Sequence, residues 1–206
     1  MEPLHFTENA RTVLAARYLR RNRSGDIVES PEELFQRVAA AVSEPELHYA
    51  SAAAARRRCE EFFQMMARKF FLPNSPTLMN AGTSMHQLSA CFVLPVGDSI
   101  ADIFDAVKHM AMVQQSGGGT GFSFSQLRPQ GEYISTTGGR SSGPVSFMQI
   151  FACATDHIKQ GGKRRGANMA VLQADHPDII AFIRAKRGNA AFENFNLYAD
   201  KNGHRL

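Results

Sequence analysis

The chain has 206 residues, 44% of them hydrophobic and 20% charged, with a formal net charge of +4 at pH 7. These are ordinary values for a soluble globular protein, and the mild positive balance suits anionic ligands without demanding nucleic acid. Three cysteines, Cys59, Cys91 and Cys153, lie far apart with no CxxC spacing, which argues against a disulfide scaffold and for a reducing compartment. No apolar run reaches the ~20 residues of a bilayer span. The start "MEPLHFTENARTVL" lacks the basic-then-apolar pattern of a signal peptide. The expected location is the cytoplasm.

The first 72 residues read as a helical region. "TENARTVLAARYLRR" opens on Thr7 as N-cap with Glu8 in the first turn. "SPEELFQRVAAAVSE" repeats the signal, with Ser30 as N-cap, Pro31 at the first helical position and acids behind it. "ASAAAARRRCEEFFQMMARKFF" is a third helix whose arginines form a solvated face and whose Cys59 packs. "PNSPTLMNAG" reads either as a turn or as hydroxyls and backbone N–H groups meeting an anion.

From residue 73 onward strands and helices alternate. Strands are expected at "ACFVLPV", "TGFSFSQL", "NMAVLQAD" and "ENFNLYA". Helices are expected at "SIADIFDAVKHMAMVQQS", "GPVSFMQIFACATDHIKQ" and "HPDIIAFIRAKR". The first of these should bury Ile100, Ile103, Phe104, Val107 and Met110 or Ala111, and the second should carry Cys153 on its apolar face. Such alternation predicts an α/β domain with largely parallel strands.

Three glycine-rich connections interrupt the pattern: "SGGGTG", "TTGGRSSGP" and "QGGKRRGANM". None matches a P-loop or a dinucleotide fingerprint. Each alone is as readily a tight connection as a phosphate cradle. Lys163, Arg164 and Arg165 on the last add donors that can fork onto phosphate or stack on a base. No aromatic stacking pattern accompanies the arginines, which counts against nucleic-acid binding. Cys91 could be packing or a reagent, and His86 five residues earlier is weak evidence for a dyad.

The order of "LPNSPTLMNAGT", "LSACFVLPVGDS", "SGGGTGFSFSQLRP", "GGRSSGPVSFMQIF" and "GGKRRGANMAVL" resembles the catalytic chain of ribonucleotide reductase, in its adenosylcobalamin-dependent class. The resemblance runs to about Leu197 and implies the first part of a ten-stranded α/β barrel, here incomplete, spanning residues 73–206. It implies that Cys91 is a redox cysteine under the substrate ribose, able to end in a disulfide with a second cysteine. Ser75 and Thr77 match the segment that holds the substrate diphosphate, Ala90 lines the ribose pocket, and Gly119 approaches the nucleotide. Asp98 and Arg128 match contacts to an allosteric deoxynucleoside triphosphate. "GGRSSGP" resembles a first specificity loop and "GGKRRGANM" a second, with Lys163, Arg164 and Arg165 on it. No metal ligands are implied in this part. The implied partners are a ribonucleotide substrate, the effector, a thioredoxin-like reductant, and a second copy or a complementary C-terminal chain. The family's thiyl-radical cysteine and the second redox cysteine lie farther along than these 206 residues. The expectation is therefore that this chain alone does not turn over. The alternative is an inactive fragment that retains an effector-binding module.

Overall fold

A computed structural model describes residues 4–158 and 166–200. The chain divides into two compact units, Met1–Ala90 and Cys91–Leu206. Residues 73–90, grouped by sequence with the second region, pack in the first of these units.

The first unit is helical. Helix α1 (Glu8–Arg17) is capped by Thr7, whose hydroxyl accepts from the Ala10 N–H. Helix α2 (Pro31–Ser43) opens on a full capping box: the Glu33 N–H donates to Ser30 Oγ and the Ser30 N–H to Glu33 Oε2. Helix α3 (Ala52–Ala67) carries its arginines on the solvent side. There Glu61 holds the Arg58 guanidinium above its usual range, first through a hydrogen bond and then through its charge. "PNSPTLMNAG" is not a turn but a short helix, α4 (Ser75–Asn80), capped by Asn74, because Pro76 sits in the first turn where no N–H is needed.

Leu34, Phe35, Val38 and Ala39 of α2 pack with Phe63, Met66, Leu78 and Ala81, and Cys59 lies half-buried against this cluster. The Glu29–Arg37 ion pair is buried beside it. Arg37 also donates to the Leu78 and Ala81 carbonyls, pinning the end of α4 onto α2.

The second unit is α/β. Strands β1 (Cys91–Leu94), β2 (Gly119–Ser123), β5 (Asn168–Gln173) and β6 (Phe195–Asp200) form one sheet in the order β1-β2-β5-β6, every pairing parallel. Helices α5 (Ile100–Gln115), α6 (Pro144–His157) and α7 (Ile179–Arg184) make the crossovers that parallel strands require. A two-residue hairpin, β3 (Tyr133–Ile134) and β4 (Gly139–Arg140), precedes α6 and was not expected from sequence.

Phe122, Phe124 and Phe151 form the centre of the core, all fully buried, with ring centroids 4.8 to 5.9 Å apart. Two expectations fail here. Ile100 and Phe104 are 61% and 50% exposed; of the expected face α5 buries Ile103 and Met110, and Ala106 joins them. Cys153 is exposed, because its neighbours Phe151 and Ala152 take the inward positions on α6.

Candidate functional site

Strand alternation and register divide the sheet into two faces. Leu94, Phe122, Ala170, Leu172, Phe195 and Leu197 face the helices and join the core. The opposite face carries Cys91 and Val93 on β1, with Gly119 and Gly121 as their register partners on β2. Cys91 is a free, exposed cysteine, and Val93 beside it is 55% exposed. Cys91 is not among the buried core residues of this unit. Gly119 opposite Cys91 and Gly121 opposite Val93 keep this face low. A Cβ at Gly121 would come within 3.2 Å of Met169 Cε. Cys91 and Gly119, the expected redox and nucleotide-approach residues, are thus brought side by side at the start of adjacent strands.

Asp98 and Arg128 meet at the other end of the same strands. Arg128 Nε donates to Asp98 Oδ2 at 2.8 Å, and the Arg128 N–H donates to Asp98 Oδ1 at 3.1 Å. Each side chain is 34% exposed, so the pair is accessible. The turn that carries Arg128 is braced from the segment after β5: His176 Nε2 lies 2.9 Å from the Leu127 carbonyl, and the Gln130 N–H donates to Asp178 Oδ2 at 2.8 Å. Ser141 Oγ, in the expected first specificity loop, lies 3.4 Å from the Arg128 carbonyl. With β1 four residues long, a rise of ~3.3 Å per residue puts the two ends of the strand on the order of 10 Å apart.

Ser75, Thr77 and Ala90 belong to the first unit. Ser75 is half-buried, with its Oγ 3.0 Å from the Tyr18 hydroxyl. Thr77 is buried, with its hydroxyl 2.9 Å from Asn74 Oδ1 and 3.0 Å from the Leu88 carbonyl. His86 accepts the Gly82 N–H at Nδ1. Lys163, Arg164 and Arg165 lie outside the described residues. A cavity of about 580 Å³ in the first unit, lined in part by Arg37, Cys59 and His86, contains none of the expected site residues. Among the described residues no group of three His, Cys, Asp or Glu side chains could hold a metal ion. No helix among them is long and apolar enough to cross a membrane.

Sequence reasoning missed a buried polar cluster at the Cys91 end of the sheet: Gln114, Thr120, Thr155 and Asn168, each 4% exposed or less. A signal existed. Gln114 follows Ile103, Ala106 and Met110 at helical spacing, which puts an amide on the buried stripe of α5. It also missed Tyr18 beside Ser75, and the two braces His176 and Asp178.

A parallel sheet with a free, exposed thiol at one end of its strands and an accessible acid–arginine pair at the other defines the second unit as an α/β domain. The model of the ribonucleotide reductase barrel domain matches residues 89–202, and the model of the ribonucleotide reductase all-alpha domain matches residues 4–86. The chain belongs to the ribonucleotide reductase family. A vitamin B12-dependent ribonucleoside-diphosphate reductase of Thermoplasma acidophilum is 41% identical over 95% of this chain and 33% of its own length. The protein of the same name from Mycobacterium tuberculosis is 46% identical over 95% of this chain and 28% of its own. A ribonucleoside-diphosphate reductase large subunit of vaccinia virus is 36% identical over 84% of this chain and 22% of its own. The chain spans about a third or less of the length of these relatives.

Proposed function

We propose that this chain is the N-terminal part of a vitamin B12-dependent ribonucleotide reductase acting on ribonucleoside diphosphates. Cys91 is one thiol of its redox pair. In the reaction two thiols lose two electrons and two protons and become one disulfide. The 2′ hydroxyl of the ribose leaves as water, and a hydrogen takes its place at the 2′ carbon. The second thiol comes from the rest of the enzyme. The open Cys91–Val93 face suits this role, since a ribose must come within reach of the sulfur and Gly119 and Gly121 leave space for it.

Adenosylcobalamin, the group named by the relatives' dependence on vitamin B12, supplies the radical that starts such a reaction. The unobstructed face beside Cys91 is compatible with it, and no described residue is assigned to hold it. Ser75 and Thr77 belong to the segment that the family resemblance assigns to the substrate diphosphate. Asp98 and Arg128 receive the deoxynucleoside triphosphate effector: Asp98 orients the guanidinium through Nε and Nη2, and its remaining N–H groups would meet phosphate.

The Asp98–Arg128 pair, set at the strand ends remote from Cys91, is the observation that carries the reading. Calorimetric titration of the chain with deoxythymidine triphosphate tests it. The wild-type chain is expected to bind and Asp98→Asn to bind about tenfold or more weakly, the cost of removing a charge-assisted hydrogen bond. Equal affinity of the two proteins would refute the assignment of the pair.

A further inference from the structure

We propose that Gln114 is a positioning residue that couples the exit of the 160–169 segment to the strand edge carrying Cys91. This rests on the reading of that segment as the specificity relay, and concerns its described residues Gly166, Ala167 and Asn168.

Gln114 lies in the last turn of α5 with no exposed surface. Its Nε2 lies 3.0 Å from Asn168 Oδ1, 3.2 Å from Thr155 Oγ1 and 3.3 Å from Thr120 Oγ1. Asn168 Nδ2 donates to Thr155 Oγ1 at 2.7 Å, and the Thr120 hydroxyl donates to Asn168 Oδ1 at 2.7 Å. One amide therefore joins α5, β2, α6 and β5 at the points where the two glycine-rich connections leave and enter them. An apolar residue would fill this space without the cost of burying an amide. The polar choice specifies an arrangement rather than merely filling it.

Gly166 rests directly on the cluster. A Cβ there would collide with Thr155 Cγ2 and approach Gln114 Oε1 to 3.2 Å. The next residue, Ala167, accepts the Thr120 N–H at its carbonyl. Thr120 follows Gly119, the register partner of Cys91. A displacement of Gly166 thus has a short route of contacts to the thiol. Gln114 Oε1, buried, has no hydrogen-bond partner among the described residues. This unpartnered oxygen leaves the cluster room to re-pair when Gly166 shifts, where a fully bonded cluster would resist.

The test uses the whole chain, deoxythymidine triphosphate and two readouts: affinity by calorimetry, and the iodoacetamide alkylation rate of Cys91 relative to the exposed Cys153 by mass spectrometry. Saturating nucleotide is expected to change the wild-type ratio by about fivefold, the low end of ordinary coupling between sites. Gln114→Met is expected to bind the nucleotide within about twofold of wild type yet lose that response, since coupling and affinity are separate quantities. Thr155→Val, which removes the shared hydroxyl with little change in shape, should behave the same way and serves if Gln114→Met does not fold. Retention of the response by the variants overturns the proposal, as does a bound wild-type protein whose ratio does not move. Absence of nucleotide binding in the wild type overturns it through the effector reading itself, and calorimetry alone distinguishes that failure.

Discussion

Removing the Arg37 guanidinium should destabilise the first unit far more than removing any surface charge. Arg37 and Glu29 side chains are 9% and 5% exposed, with Nε 2.6 Å from Oε1. Arg37 also satisfies the Ala81 carbonyl at 2.5 Å and the Leu78 carbonyl at 3.2 Å. In Arg37→Met the Glu29 carboxylate keeps, among the described residues, the Arg20 N–H as its partner at 3.0 Å. Stranding one member of a buried pair costs about 3–5 kcal/mol. At ~2–4 °C per kcal/mol for a chain of this size, the affected transition should fall by about 10 °C. Urea and thermal unfolding followed by circular dichroism measure it. Glu29→Gln in the Arg37→Met background should recover part of the loss, so the two changes should depart from additivity by about 1 kcal/mol or more. Additive effects, or a single-variant cost below about 1 kcal/mol as for exposed pairs, would show that the pair is solvated and the reasoning wrong.

Two further outcomes follow from the second unit. Phe151→Ala empties the space between Phe122 and Phe124, whose centroids are 4.8 and 5.3 Å from its ring; it should cost about 3–5 kcal/mol by urea denaturation, and a loss below about 1 kcal/mol would contradict the packing. Gly121→Ala places a methyl on the Cys91 face, where only the flexible end of Met169 must yield. It should leave the unfolding midpoint nearly unchanged while weakening ribonucleoside diphosphate binding, and unchanged binding would argue that this face does not meet the nucleotide.

Much of the architecture was legible because its signals are local. Thr7 and Ser30 cap the helices they were expected to start, and Glu33 completes the box at three residues' spacing. Alternating strands and helices announced the parallel sheet. What was lost depended on tertiary choice. Helix α5 has two apolar stripes; only packing against the sheet selects Ile103 and Met110 over Ile100 and Phe104. Cys153 lies one residue from the buried Ala152, and one residue turns a helix by about 100°, so it points outward. Pro76 suggested a turn although the first turn of a helix accepts proline. The β3–β4 hairpin, two residues a side, is too short to show a period.

The candidate site divided similarly. The family resemblance implied Cys91, Gly119, Asp98 and Arg128, but only strand register sets the first two beside each other and the last two at the far end. Gln114 escaped notice because a glutamine at a helix end ordinarily faces water.

The reactivity of Cys91 tests its place beside the substrate. Alkylation of the chain by iodoacetamide, followed residue by residue with and without a ribonucleoside diphosphate, measures it. Bound substrate is expected to slow modification of Cys91 while the exposed Cys153 reacts at an unaltered rate. A nucleotide that binds and leaves Cys91 reacting as before would contradict the assignment of this sulfur to the substrate side of the sheet.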